Sequence, residues 1–285
     1  MIYGINAHLA SPELLRRVPD LGATVVRLDI NWVEVEPQRD QYHWEIIDPS
    51  VYGARDVGLQ VYPSLGYSPP WANGGRAREY PPTSREYYWN FVANAVQRYR
   101  EVMQYWGLWN EPNQPGMWQG SLSEYVNLIL QPGWEAVKAV DPAARVCGPE
   151  LSREGNWRDW LRTILQRGGQ YLDLTTQHVY GASGHAVVED IREVMDVLRD
   201  LGLSERPLAI TETGWDSARV GEEAQAANYD QLFEAFQQAL NPVAFLAYQL
   251  VDEPGPDKWG LLREDWSWKP AAHVFARYAQ PAPLV

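Results

Sequence analysis

Eight short apolar, β-branched runs recur along the chain, each separated from the next by a stretch long enough for a helix. They are IYGINAH (2–8), TVVRLDI (24–30), LQVYPSL (59–65), QYWGLWN (104–110), RVCGPEL (145–151), LDLTTQHVY (172–180), PLAITET (207–213) and VAFLAYQL (243–250). Segments such as REYYWNFVANAVQRYREVM and EEAQAANYDQLFEAFQQAL, with apolar residues at helical spacing, lie between them. Ser11-Pro12 and Asp48-Pro49 each read as an N-cap followed by proline in the first turn, and Thr83–Glu86 and Ser121–Glu124 read as capping boxes. Gly22, Gly58 and Gly202 close helices ahead of the next strand.

Alternating strands and helices build parallel βα units, and eight of them within 285 residues predict an α/β chain forming a single (β/α)8 TIM barrel, for which about 250 residues is usual. The barrel is expected to fill 1–285 as one catalytic domain. The rival, an open doubly wound sheet, usually places a glycine-rich phosphate loop after its first strand; here that strand runs into NAHLASPE. No linker, low-complexity tract or repeat beyond the βα cycle interrupts the chain.

Charge narrows the partners. A formal net charge of −13 argues against nucleic acid and anionic membranes, which call for a basic surface. The lone Cys147 excludes an intrachain disulfide framework. The opening MIYGINAHL has no basic run and no long apolar stretch, so no signal peptide or spanning segment is expected. Compartment stays open between cytoplasmic and secreted with the leader absent from this sequence, and nothing implies an obligate protein partner. Trp (14) and Tyr (16) far outnumber Phe (5). Rings with an apolar face and a polar tip suit a half-polar ligand such as a sugar, although a large barrel also buries many rings.

In this architecture catalytic groups project from the C-terminal ends of the strands. Two carboxylates pass that filter in unusual company: Glu111 in GLWNEPNQPGMW after the fourth run, and Glu212 in AITETGW at the seventh. Strands four and seven face each other across a barrel mouth. A facing carboxylate pair is what glycoside hydrolysis requires, one acid protonating the leaving oxygen and the other attacking, or guiding water to, the anomeric carbon. The five histidines, His8, His43, His178, His185 and His273, show no metal-binding spacing, and no Gly-x-Ser-x-Gly elbow is present. Neither a metal nor a cofactor is therefore expected.

WNEPN and TETGW together resemble the catalytic pair of clan A glycoside hydrolases. RLDINWVEVEP, YHWEIID, SPPWA and WGLLREDWSWKPA resemble glycoside hydrolase family 39 and its barrel-only relatives, including bacterial exopolysaccharide endoglycosidases, with family 5 next in likeness. The likeness runs from Met1 to about Tyr278. It implies that Glu111 is the general acid/base and Glu212 the nucleophile of a retaining hydrolase. It further implies that Asn110 hydrogen-bonds the sugar 2-hydroxyl, that Arg27 keeps Glu212 ionised, that Tyr180 orients Glu212, and that His178 braces the site near Glu111. Plainer readings stand beside these: Arg27 neutralising Asp29, His178 and Tyr180 as ordinary buried polar groups, and Asn110 shaping a turn.

The chain also departs from the family pattern. Strand eight commonly supplies a tryptophan under the reacting sugar, and Gln249 falls there instead. Either Gln249 bonds a hydroxyl or another ring, Trp259, forms the platform. Trp71, Trp118, Trp215, Trp259, Trp266 and Trp268 fall in strand-to-helix loops, and at least two of them are expected to line a sugar cleft. Glu150, Asp216, Asp252 and Glu253 also end strands, either binding hydroxyls or sitting solvated in loops. The accessory β-sandwich of family 39 β-xylosidases does not fit beside a barrel in this length, which favours a simpler, open-cleft enzyme. The expected activity is retaining hydrolysis of β-linked oligo- or polysaccharide, probing inside the chain (endo) rather than at its end. A non-catalytic sugar-binding barrel or an exo-acting β-glycosidase or transglycosylase is the alternative.

Overall fold

Runs of Val, Ile, Leu and Ala that are apolar on both faces are stable only when covered on both, as the strands of a parallel barrel are. The computed structural model describes residues 1–238 and 240–280, and in it eight parallel strands close on themselves in sequence order. They are β1 (Ile2–Asn6), β2 (Val25–Asn31), β3 (Gln60–Gly66), β4 (Tyr105–Leu108), β5 (Arg145–Leu151), β6 (Leu174–His178), β7 (Leu208–Thr213) and β8 (Ala244–Ala247). β1 pairs with β8 to complete the ring, giving the expected (β/α)8 barrel. Helices follow each strand, the longer ones at Arg85–Tyr99, Trp157–Gly168, Gly184–Asp200 and Glu222–Gln238.

The main core lies between the outer strand face and these helices. It is held by rings as much as by aliphatics: Trp32 stacks on Phe91 at 5.4 Å between centroids, and Trp109 meets Trp118 edge-on at 4.9 Å. Offset and edge-to-face contacts of this kind add to what area burial contributes. Inside the barrel a smaller cluster of Val25, Tyr62, Cys147 and Leu246 fills the lower layer. Beneath it a cavity of about 280 Å³ remains at the N-terminal mouth, where Ala209 and Ala244 are too small to close it. No helix among the described residues is long and apolar enough to cross a membrane.

Local signals map unevenly. Ser11 caps the helix at Pro12, accepting from the Leu14 amide, and Ser121 with Glu124 forms a reciprocal capping box. Gly22, Gly58 and Gly202 all adopt left-handed φ, 80°, 80° and 72°, as the ends of these segments require. Two caps differ from expectation. Ser84 rather than Thr83 caps the helix at Arg85, because the Thr83 hydroxyl is spent on the Ala72 carbonyl. Asp48 lies inside its helix, where its carboxylate accepts from Arg98 and from Tyr99 instead of capping.

Candidate active site

Strand register assembles the site. Arg27 on β2 is level with Asn6 of β1 and Tyr62 of β3, and His178 at the end of β6 pairs with Glu212 of β7. Glu111 does not end β4 as a strand residue; it lies three residues beyond Leu108, after a turn in which Trp109 and Glu111 take φ of 76° and 44°. Left-handed backbone at non-glycine residues costs of order 1–3 kcal/mol and persists only where surrounding contacts hold it. Here Trp109 is clamped by its backbone N–H on the Leu65 carbonyl and its indole N–H on the Met117 carbonyl. Glu111 is held by its backbone N–H on the Glu150 carbonyl.

The two acids meet over one opening. Glu111 and Glu212 each have a carboxylate oxygen within 4.8 Å of the other's and of a His178 ring nitrogen. Nδ1 of His178 is 3.0 Å from Glu111 Oε1 and 3.5 Å from Glu212 Oε2. Both oxygens of Glu212 are engaged: Arg27 Nη1 donates to Oε1 and the Tyr180 hydroxyl to Oε2, each at 2.8 Å. Donors on both oxygens fix the direction of the carboxylate. Asn110 Oδ1 accepts from Arg27 Nη2 at 2.8 Å, which leaves its amide nitrogen for the cleft. Burial works against a charged ring at His178, yet the Glu212 and Glu111 carboxylates outweigh it and raise its pKa. Burial and then Glu212 push the Tyr180 phenol far up, so it stays a donor.

These groups open into a cavity of about 730 Å³ at the C-terminal mouth, within the range of about 300–1,000 Å³ typical of ligand sites. On the Glu111 side lie Gln114, Met117, Ser152 and Glu154; on the Glu212 side lie His8, Tyr248 and Trp259. Trp259 packs edge-on against Tyr180 at 5.6 Å. Trp71, Trp118 and Trp215 are elsewhere, contrary to expectation. Each spends its indole N–H on a backbone carbonyl, of Glu36, Ser121 and Gly181 respectively, and packs on Trp32, Trp109 and Tyr229. Trp266 and Trp268 are likewise absent from the cavity wall, so Trp259 alone of the six loop tryptophans lines it. Gln249 does not reach the cavity either: it is buried and its Oε1 accepts from His8 Nε2 at 2.6 Å, while the neighbouring Tyr248 faces the cleft. Asp216 caps the helix at Ser217, Asp252 forms a buried pair with Lys269 at 2.8 Å, and Glu253 is exposed outside the cavity.

Several wall residues were not singled out by sequence: Tyr67, Tyr248 and the His8–Asp29 pair. The pair could have been found, since His8 lies two residues beyond β1 and Asp29 sits near the C-terminal end of β2. Nδ1 of His8 is 2.6 Å from Asp29, and Arg27 is 3.7 Å from the same carboxylate. Burial opposes both charges; Asp29 nonetheless raises the His8 pKa, and His8 with Arg27 lowers that of Asp29. A raised histidine stabilises fully below its unfolded value of about 6.5 and fades as pH climbs through the folded value; a lowered aspartate stabilises above about 3.9 and fades as pH drops through its folded value. Asp29→Asn is therefore expected to lower the melting temperature most between about pH 4 and 6.5, with the deficit narrowing on either side. Melts across pH 3–9 check this, and a deficit constant with pH would contradict it.

Glu111, His178 and Glu212 present three donor atoms at a spacing a cation could use, which their places in sequence do not reveal. The guanidinium 2.8 Å from Glu212 and the hydrogen bonds already on both of its oxygens make this a poor seat for a cation.

No family model matches the chain. A β-xylosidase of Caldicellulosiruptor saccharolyticus is 24% identical over 197 residues, 60% of this chain and 40% of that protein. Among solved structures, a family 39 glycoside hydrolase from Bacteroides cellulosilyticus superposes with a TM-score of 0.79 at 22% identity, covering 97% of this chain and 63% of that one. A monomeric β-xylosidase from Caulobacter crescentus gives 0.77 at 22%, covering 96% and 66%. An exo-β-1,4-mannosidase from an Opitutaceae bacterium gives 0.74 at 16%, covering 98% and 59%. The chain thus shares its barrel with clan A enzymes of the family 39 kind while spanning less than two thirds of each of these proteins.

Proposed function

We propose that this barrel is a retaining O-glycoside hydrolase acting on β-linked oligo- or polysaccharide. The observation that carries the reading is the approach of Glu111 and Glu212 to within 4.8 Å across the open end of the barrel. So close an approach of one oxygen of each suits the carboxyl separation of about 5–5.5 Å of retaining enzymes better than the roughly 6.5–9.5 Å of inverting ones. The β preference comes from the β-xylosidase and β-mannosidase names among the similar proteins.

In this reading Glu111 donates a proton to the leaving oxygen while Glu212, held by Arg27 and Tyr180, attacks the anomeric carbon. The glycosyl–Glu212 ester removes one negative charge beside Glu111, which then takes a proton from water as that water displaces the ester. The freed Asn110 amide nitrogen is positioned for the 2-hydroxyl, where a bond that tightens in the transition state adds to the rate. Residues on Glu111's side of the cavity take the leaving group, and His8, Tyr248 and Trp259 take the sugar that becomes attached. A lining that extends to both sides of the pair accommodates more than one sugar, and endo action is the finer form of the proposal; a product profile of monosaccharide from the earliest times would contradict it.

The test is proton NMR of the first-formed sugar from a panel of aryl β-xylosides, β-glucosides and β-mannosides. Retention, with the β-anomer appearing before mutarotation, is the expected result. First formation of the α-anomer contradicts the retaining route, and no turnover of any member or of β-linked oligosaccharides favours a sugar-binding barrel.

A further inference from the structure

Glu150 is a third carboxylate under the pair, wholly buried and in an unusual backbone state. Cys147 lines the barrel interior, so strand alternation would aim Glu150 outward. Between Gly148 and Leu151, however, β5 slips register against β6, and Glu150 takes φ of 53°, which turns its side chain back into the barrel. There Oε2 accepts from Arg27 Nη2 at 2.8 Å and Oε1 from the Tyr62 hydroxyl, with Ser64 at 3.5 Å. Its amide N–H is fixed on Thr176, and its carbonyl holds the Glu111 amide at 3.1 Å. Space is kept for it by Gly107, where a Cβ would come within 2.8 Å of Oε1.

We propose that Glu150 is a positioning residue for both acids: its carbonyl sets the turn that presents Glu111, and its carboxylate holds Arg27 so that the other guanidinium nitrogen points at Glu212. The inference rests on the proposed hydrolase reading for its kinetic consequence but not for its geometry. A buried arginine bonded to one carboxylate alone would close onto it; two carboxylates on its two nitrogens keep the plane fixed. Glu150 does not itself line the cleft, and His178 Nε2, which has no hydrogen-bond partner among the described residues, lies 3.8 Å from Glu150 Oε2. The charged and titratable groups facing Glu150 are Arg27, Tyr62, Tyr88, Tyr125, Cys147 and His178; those facing Glu212 are Arg27, His178, Tyr180, Glu111 and Tyr248; and His178 also senses Asp29.

Glu150→Gln, Glu150→Asp and Gly107→Ala test this in the full chain, each first shown folded by circular dichroism. In Glu150→Gln, kcat should fall by about 10²-fold, the scale set by a misplacement near 1 Å, with KM little changed. Removing the negative charge leaves Arg27 more fully to Glu212, so the acid limb of kcat/KM should move to lower pH, and the ¹⁵N titration midpoint of His178 should also fall. Glu150→Asp keeps the charge but withdraws it, so it should lose kcat while retaining the wild-type acid limb. Gly107→Ala, whose Cβ would meet Glu150 Oε1, the Tyr62 hydroxyl and the Pro63 carbonyl oxygen, should also lower kcat, and Glu150→Asp covers the case where Glu150→Gln does not fold. Folded variants with wild-type kcat, acid limb and His178 midpoint would overturn the proposal. Should the wild type hydrolyse no glycoside, the hydrolase reading fails separately, and the His178 midpoint in Glu150→Gln still decides the clamp.

Discussion

Glu212→Ala is expected to reduce hydrolysis of an activated aryl β-glycoside to near background, on the order of 10⁴-fold or more, as when a member of a reacting set is removed. The reason lies in what surrounds it. Glu212 is the one group of the pair with a cation and a phenol on its two oxygens, at 2.8 Å each, so its carboxylate is fixed in direction toward the cleft. Removing it also leaves Arg27 with the Glu150 and Asp29 carboxylates and the Asn6 and Asn110 amide oxygens. Binding should survive, because the cavity walls keep their rings and polar groups. Steady-state rates beside oligosaccharide binding by calorimetry measure both halves; equal rates in wild type and variant would remove Glu212 from the mechanism.

Glu111→Ala is expected to behave differently. General acid help is worth about 10²–10⁴-fold, and its value depends on how poor the leaving group is. The deficit in kcat/KM, which reports formation of the ester, should therefore be small for a dinitrophenyl glycoside and deepen steadily toward alkyl and sugar leaving groups. With good leaving groups the ester on Glu212 should accumulate, because the base for water is missing. Azide, an anionic nucleophile that needs no base, should restore turnover and yield the β-glycosyl azide. A deficit independent of leaving-group pKa, or no azide product, would move the acid/base role away from Glu111.

Much of this was readable in the sequence because the barrel's periodicity is local. Each strand core and the following cap lie within a few residues, and the strand-end rule then selects Glu111 and Glu212 among 37 acids. What was not readable depends on backbone departures from regular strand geometry. Glu150 ends a run like other strand-end acids, but its aim is set by a register slip and a left-handed φ that no periodicity encodes. The tryptophans mislead for a related reason. Trp71, Trp118 and Trp215 fall in loops at the functional end, yet each finds a carbonyl for its indole N–H and an aromatic partner, so the ring closes the loop and leaves the cleft to Tyr67, Tyr248 and Trp259. Gln249 illustrates the same limit: the run 243–250 takes it for a strand residue, whereas it lies two residues beyond β8 and the cleft-facing residue of that turn is Tyr248.

In the proposed route Glu212 carries a covalent glycosyl ester. Incubation with a 2-deoxy-2-fluoro aryl β-glycoside slows formation and breakdown of the ester, and an activated leaving group lets formation win. Intact-protein mass spectrometry should then show one added fluoroglycosyl unit, mapped by peptide sequencing to Glu212 and absent from Glu212→Ala. A protein that turns over aryl β-glycosides yet takes up no label, or carries it on Glu111 or any other residue, would contradict the account.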